Sequence, residues 1–442
     1  MKRAYKNLFT HYDNNKQMKE TFKIIISDFL ETEMPKLVDR EIEIPLSSKK
    51  IISLVGARRT GKTYLFYSVI KRLRESQQNS QIVYINFEDD RLFPLTLKDL
   101  NLFVEAYYEL YPNNRDKTAY FFFDEIHNVE NWEKFVRRIY DSLNCNIFIT
   151  GSSSKFLSKE IATSLRGRTI SFEVFPFNFT EYLKIKGIDS NYLSSKNRAK
   201  IVNAFEYYLH NSSFPELLEA TEIEKPKILK EYLDLVIYKD LIERYQITNL
   251  YLIKYLIKFL LSNSANLISI SKIYNDLKSQ SVKVSKNSLY QYIEYLTDAY
   301  ILFPVKIFSN NIREVQRNPQ KIYSLDSGLV DIVTITKDIG RKFENTLFLE
   351  LRRKHQNVSY VKLKQEIDFC YQYNGKMNLI NASYSIKETS TKQREINSLV
   401  EGMKYFNIKE SFLLTNSNEE TISREDMEIK ILPLWKWLIM NY

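Results

Sequence analysis

Between about Lys50 and Pro176 the chain alternates two hydrophobic rhythms. Continuous apolar runs at 51–55, 81–87, 119–123, 146–150 and 169–174, bounded by polar or glycine residues, predict buried strands. Between them, over 63–74, 132–143 and 154–165, apolar residues return every three to four positions, the period of an amphipathic helix. Strands alternating with helices predict a parallel sheet with helices on both faces. Ahead of this pattern, 1–45 reads as a polar start and then a helix carrying Phe22, Ile25, Ile26, Phe29 and Leu30, ended or bent by Pro35.

Beyond Pro176 the rhythm turns helical, at 179–186, 197–209 and 228–245. Residues 250–310 then form a compact block, with helices at 251–262, 271–279 and 286–300 and an extended Tyr300-Ile301-Leu302-Phe303-Pro304-Val305. Three helices followed by a hairpin are the layout of a winged helix. From about 335 onward helix and strand patterns alternate again, which predicts a small α/β domain. No internal repeat or low-complexity tract interrupts the chain.

A length of 442 residues exceeds one ordinary core and predicts two to four domains. Hydrophobic and charged contents of 44% and 27% describe a soluble globular chain, and 9 Gly with 10 Pro leave little for long disordered linkers. The apolar runs are too short or too interrupted to span a bilayer, and Met1-Lys2-Arg3-Ala4 is followed by no apolar stretch of a signal peptide. Two cysteines, Cys145 and Cys370, exclude a disulfide scaffold or a cysteine-based zinc site, so the expectation is a cytoplasmic protein with no membrane partner. The net charge of +10 is uneven: residues 250–365 hold 18 Lys and Arg against 9 Asp and Glu. A basic region suits a phosphate-backbone partner. Compositional drift in a chain rich in Lys, Asn, Ile and Tyr is the other reading.

The first chemistry lies directly after the 51–55 run. Gly56-Ala57-Arg58-Arg59-Thr60-Gly61-Lys62-Thr63 follows a strand and opens a helix, the setting a phosphate-binding loop needs. Gly56 and Gly61 let backbone N–H groups turn inward, the helix N-terminus adds its positive end, and Arg59, Thr60 and Tyr64 complete the cradle. Lys62 would neutralise β- and γ-phosphate charge, and Thr63 would offer its hydroxyl to Mg²⁺. About sixty residues on, Ala119-Tyr120-Phe121-Phe122-Phe123-Asp124-Glu125 is an apolar strand ending in two carboxylates. Asp124 would hold Mg²⁺ through its water shell and Glu125 would act as general base on the attacking water. ATP with Mg²⁺ is therefore the expected ligand. At the end of the 146–150 strand, Thr150 and Ser152 could position that water, or a serine there could cap the next helix. Arg166 and Arg168 could reach the γ-phosphate of a neighbouring subunit in trans, implying a homo-oligomer, or could complement a helix dipole.

Taken in order, several motifs resemble those of archaeal and bacterial AAA ATPases with a DUF4143 C-terminal region, over nearly the whole chain. They are the phosphate loop, Phe123-Asp124-Glu125-Ile126-His127-Asn128-Val129-Glu130-Asn131-Trp132-Glu133, Thr150-Gly151-Ser152-Ser153 and Leu165-Arg166-Gly167-Arg168. Later segments match too: Ser213-Phe214-Pro215-Glu216, Tyr323-Ser324-Leu325-Asp326-Ser327-Gly328-Leu329, Gly340-Arg341-Lys342-Phe343-Glu344-Asn345 and Glu366-Ile367-Asp368-Phe369. The resemblance implies an α/β protein with a P-loop AAA+ parallel-sheet core (46–180) behind an N-terminal helical segment (1–45). A helical lid (181–249), a winged helix (250–312) and a small α/β domain similar to PD-(D/E)xK restriction nucleases (335–442) would follow.

Such nucleases need carboxylates converging on Mg²⁺ and a lysine to hold the attacking water. Glu344 and Asp368 stand where the first two metal ligands belong, but Asn381 and Ser383 occupy the places of the Glu-x-Lys pair. A degenerate, non-cutting domain is the expectation, and Glu344 could instead cap a helix or pair with Arg341. In the winged-helix block, Ser271, Lys272, Lys278, Lys283, Lys286, Asn287, Ser288 and Gln291 suit phosphate and base-edge contacts. The sequence thus predicts an ATPase that couples turnover to DNA or RNA, DNA foremost. The alternatives are a nucleotide-controlled protein switch and an ATP-gated nuclease.

Overall fold

Five strands, β1 (Ile51–Val55), β2 (Ile82–Asn86), β3 (Ala119–Asp124), β4 (Cys145–Thr150) and β5 (Thr169–Glu173), form one parallel sheet in the order β2-β3-β4-β1-β5. Each begins and ends within two residues of its predicted run, because a strand buried on both faces must be apolar throughout. The computed structural model describes residues 2–151, 163–335 and 338–440. It divides into two compact units, Met1–Val174 and Phe175–Tyr442.

In the first unit, helices α1 (Lys2–Glu31), α2 (Lys62–Arg74), α3 (Leu100–Leu110) and α4 (Trp132–Ser142) accompany the sheet. One core layer joins Phe22, Ile25 and Ile26 of α1 to Phe103 and Tyr107 of α3, Phe121 and Phe123 of β3, and Val136 of α4. The other joins Leu65, Phe66, Val69 and Ile70 of α2 to Ile52, Leu54, Tyr84, Tyr120, Phe122 and Phe148. Residues 1–45 are therefore not a separate segment: α1 buries its apolar stripe in this unit's own core. α3 escaped the sequence reading although its pattern is amphipathic: Asn101, Glu105 and Glu109 are exposed on one face, and Phe103, Ala106 and Tyr107 are buried on the other. The helix expected at 154–165 lies almost wholly outside the described residues.

The second unit begins at Phe175, so residues 175–180 fall with it rather than with the sheet as the sequence placed them. Its first helices, Phe179–Ile185, Ser195–His210 and Glu224–Leu235, lie close to prediction, and the last runs on into a π-helix, Val236–Glu243. The helices Leu250–Ser262, Ile270–Ser279 and Lys286–Asp298 are joined by a three-stranded antiparallel sheet, β6 (Asn266–Ile268), β7 (Leu302–Val305) and β8 (Gln320–Ser324), ordered β6-β8-β7. The block does not stop at residue 312: its central strand, β8, comes after that point.

The last sheet has the order β13-β14-β12-β11-β10-β9, from β9 (Val358–Lys362), β10 (Glu366–Tyr373), β11 (Lys376–Ala382), β12 (Glu410–Thr415), β13 (Glu420–Arg424) and β14 (Met427–Pro433). The antiparallel meander β9-β10-β11 continues into parallel β12 through the helix Thr389–Phe406. That helix buries Ile396, Leu399 and Met403 against Ile367, Leu379 and Leu413. Among the described residues, no helix is long and apolar enough to cross a membrane.

Candidate functional site

Because β1, β3 and β4 are parallel neighbours, their C-terminal ends open on one edge of the sheet, and the chemistry collects there. The loop leaving β1 needs its glycines. Gly56 has φ +146, and a Cβ there would lie 2.3 Å from the Val174 carbonyl oxygen, while Gly61 has φ 92. Thr60 Oγ1 donates to the Ala57 carbonyl at 3.0 Å, and Arg40 Nη1 donates to the Thr60 carbonyl at 3.0 Å. Lys62 is buried and donates to the carbonyls of Gly56 (3.0 Å) and Ala57 (2.7 Å), which fixes its ammonium inside the loop. Arg59 and Tyr64 are exposed on the rim.

Asp124, at the end of β3, collects three hydroxyls. Thr63 Oγ1 donates to Oδ2 at 2.7 Å, Tyr84 Oη donates to Oδ2 at 2.8 Å, and Thr150 Oγ1 donates to Oδ1. Burial pushes the Asp124 carboxyl above its ordinary range, against the pull of these donors. A carboxylate beside a threonine hydroxyl is a hard-oxygen set that suits Mg²⁺, and all three donors to it are neutral, so the residues fit a divalent cation brought in with ATP. Glu125 follows in the left-handed region, φ 51, a conformation rare for glutamate. Its N–H donates to Thr150 Oγ1 at 3.0 Å, and its carboxylate lies 3.2 Å from His127 Nδ1. Thr150 therefore touches both acidic residues of the motif, from the strand between β1 and β3. Ser152 lies outside the described residues.

Arg166 and Arg168 lie elsewhere. The Arg168 carbonyl accepts from the N–H of Ile51, at the start of β1, so both arginines stand at the edge of the sheet opposite the phosphate loop. Five residues of strand separate the two edges by roughly 17 Å. Arg168 makes a two-pronged pair with Asp141 (3.0 and 3.1 Å), and Arg166 is exposed. In the single chain neither is brought to Thr63 and Asp124.

A second cluster lies within Phe175–Tyr442. Glu344 and Asp368 come together there around a lysine that sequence reasoning missed. Lys321 Nζ, from β8, lies 2.9 Å from Glu344 Oε1, 2.8 Å from Glu366 Oε1 and 2.8 Å from Asp368 Oδ1, with 3% of its side chain exposed. Tyr323 Oη donates to Glu344 Oε1 at 2.7 Å. Glu344 thus pairs with Lys321, whereas Arg341 pairs with Asp338 at 3.1 Å. A register shift between Ile367 and Cys370 brackets Asp368, the irregularity by which a strand re-aims a side chain. Asn381 is fully buried and structural: its Oδ1 accepts from the Asp368 N–H, and its Nδ2 donates to Glu395 and Ser398. The only available signal for Lys321 was a lysine in the apolar strand pattern 320–324.

The later motifs also find a physical reason. Asp326 Oδ2 accepts from the backbone (2.7 Å) and hydroxyl (3.0 Å) of Ser213, and Oδ1 accepts from Gly328 N–H. The segments around Ser213 and Asp326 are thus one buried joint.

A family model described as an AAA domain matches residues 48–183, and one described as a domain of unknown function, DUF8612, matches residues 202–338. The expected DUF4143 region is not shown; the DUF8612 match covers mainly the segments read as helical lid and winged helix. The chain is 39% identical to the uncharacterized protein MJ1544 of Methanocaldococcus jannaschii, over 94% of each chain. It is 31% identical to an uncharacterized protein of Haemophilus influenzae, over 77% of this chain and 84% of that one. Among solved structures, ORC1 of Aeropyrum pernix in complex with DNA is 14% identical over 72% of this chain and 91% of its own, with a TM-score of 0.28. AMPPCP-bound DnaA of Aquifex aeolicus is 12% identical over 62% and 86%, with a TM-score of 0.23. Superpositions that loose decide nothing about function. The sheet order and the matched domain identify the first unit as an AAA+ P-loop core, and the chain belongs to the family of the M. jannaschii protein MJ1544.

Proposed function

We propose that this protein binds ATP·Mg²⁺ and hydrolyses it, coupling turnover to DNA. One observation carries the reading: Lys62, Thr63, Asp124, Glu125 and Thr150, from three strand ends and a helix N-terminus, meet at one edge of the sheet. Lys62 and the loop N–H groups hold the phosphates, Thr63 and Asp124 hold the cation, and Glu125 polarises the water with Thr150 fixing its backbone. When bound, Mg²⁺ supplies charge neutralisation on the β- and γ-phosphates.

Two features support the nucleic-acid part. The basic stretch includes the helices Ile270–Ser279 and Lys286–Asp298, and with β6-β8-β7 these have the winged-helix layout. Lys272, Lys278, Lys283, Lys286, Asn287, Tyr290 and Gln291 are all exposed there. Arg166 or Arg168, remote from the site of its own chain, would complete that of a neighbouring copy.

Steady-state ATP hydrolysis with and without duplex, single-stranded and branched DNA tests the proposal, beside Glu125→Gln. Stimulation by DNA that is absent in Glu125→Gln is the expected result. Turnover indifferent to every nucleic acid would replace the DNA reading with a nucleotide-controlled protein switch.

The position of Lys321 favours a second reading, a metal-dependent nuclease, because a lysine does reach Glu344 and Asp368. Mg²⁺-dependent cutting lost in Asp368→Ala would establish it; absence of cutting leaves a degenerate domain.

A further inference from the structure

Tyr84 has no place in the usual chemistry of a phosphate loop, yet it touches the carboxylate on which the cation depends. It lies in β2 opposite Phe122 of β3, on the face that packs α2, and its buried side chain leans along the strand towards the C-terminal edge. There its hydroxyl donates to Asp124 Oδ2 at 2.8 Å, the oxygen that also accepts from Thr63 at 2.7 Å. Thr63 would offer Mg²⁺ a lone pair while its proton stays on Oδ2, so its hydroxyl would serve both the ion and the carboxylate. Tyr84 stands outside that set, and its hydrogen bond serves Asp124 alone. Its own ring is held in turn: Phe29, in the last turn of α1, packs on it with centroids 4.9 Å apart, and Tyr67 of α2 lies 5.3 Å away. The Arg74 guanidinium covers the Phe29 ring at 5.3 Å. Phe29 lies outside the residues 48–183 that match the AAA domain.

We propose that Tyr84 is a positioning residue for the Mg²⁺ site, orienting Asp124, and that Phe29 makes α1 a working part of that site. The proposal rests on the ATP·Mg²⁺ reading above. It gives the N-terminal helix a role beyond filling the core: a shift of its last turn would be felt at Asp124 through one aromatic contact and one hydrogen bond.

The test is binding of a fluorescent ATP analogue to the full chain, first in EDTA and then across a Mg²⁺ titration, for wild type, Tyr84→Phe and Phe29→Leu. Phenylalanine fills the same space and removes only the hydroxyl. Tyr84→Phe is expected to bind the analogue in EDTA as wild type does. Its Mg²⁺ titration should move to roughly 10-fold higher concentration or more, the usual loss when an outer-shell partner of a metal ligand is removed. Phe29→Leu should move it in the same direction by less. A Tyr84→Phe titration that superimposes on wild type overturns the proposal, whatever happens to the thermal midpoint. An unchanged Phe29→Leu titration overturns the part assigned to α1. Failure of the wild type to bind the analogue under any condition overturns the nucleotide reading, and this proposal with it.

Discussion

Thr63 Oγ1 and Asp124 Oδ2 are 2.7 Å apart across 61 residues of chain, and that hydrogen bond joins the phosphate loop to the acidic strand end. Around it the two neighbouring residues have separable tasks. Lys62→Ala should abolish ATP binding. Glu125→Gln should keep binding and lose about 10²–10⁴ in turnover, the contribution of a positioned general base. Nucleotide binding by fluorescence and single-turnover hydrolysis check the pair, and comparable turnover in Glu125→Gln would sink the base assignment.

If either arginine at the opposite edge serves an ATP site, that site belongs to another chain. Mixing Arg166→Ala or Arg168→Ala protein with Lys62→Ala protein should restore part of the activity, since such a mixed assembly holds some intact sites. Mixtures no more active than their components would mean that neither arginine works in trans. Arg168→Ala should also lose its exposed pair with Asp141, at a cost below about 1 kcal/mol.

Lys321 is in contact with three carboxylates on two other elements, and it is almost fully buried. Lys321→Met should destabilise the unit Phe175–Tyr442 by roughly 3–5 kcal/mol, because it leaves buried negative charge without its partner. Urea unfolding followed through the tryptophans of this unit reads the change. Restoration of stability by a second change, Glu344→Gln, would show that the loss comes from charge rather than packing.

Burial, with Asp368 beside it, pushes the Glu344 carboxyl up to about 7. A carboxyl whose folded-state value exceeds its unfolded value takes up a proton on folding. Its effect on stability therefore worsens as pH rises from about 4.5 through about 7. Thermal midpoints measured across this window should fall more steeply for wild type than for Glu344→Gln. Parallel curves would show that Glu344 stays ionised throughout.

Gly328 sits in the joint that Asp326 makes with Ser213. A Cβ there would lie 2.8 Å from Ser212 Cβ and 2.9 Å from both Asp326 Oδ1 and Leu229 Cδ1. Gly328→Ala should cost about 1–3 kcal/mol by overpacking. Gly375→Ala is a useful contrast: nothing lies within 4 Å of its added Cβ, and its cost comes only from φ +76. A loss well below about 1 kcal/mol for Gly328→Ala in denaturant melts would refute the crowding at Gly328.

The ends of all five core strands and the phosphate loop were legible in the sequence, because a doubly buried parallel strand must be apolar along its length and a phosphate loop must have glycines at fixed spacing. Asp124 and Glu125 were legible for the same reason, as two acids closing an apolar run. α1 was seen only as a short helix after a polar start, since its role in the core depends on its packing against α3, a contact that neither helix's own pattern records. Lys321 illustrates the other limit. In sequence it is one lysine in a short strand, 23 residues from Glu344 and 47 from Asp368. Only the pairing of β8 between β6 and β7 and the re-aimed turn of β10 bring its ammonium among the three carboxylates. Local periodicity is set by which face a segment must bury, so sequence determined the elements and the loop chemistry. The contacts that Tyr84, Thr150 and Lys321 make are between strands distant in the chain, and no local pattern records them; tertiary structure alone decided those.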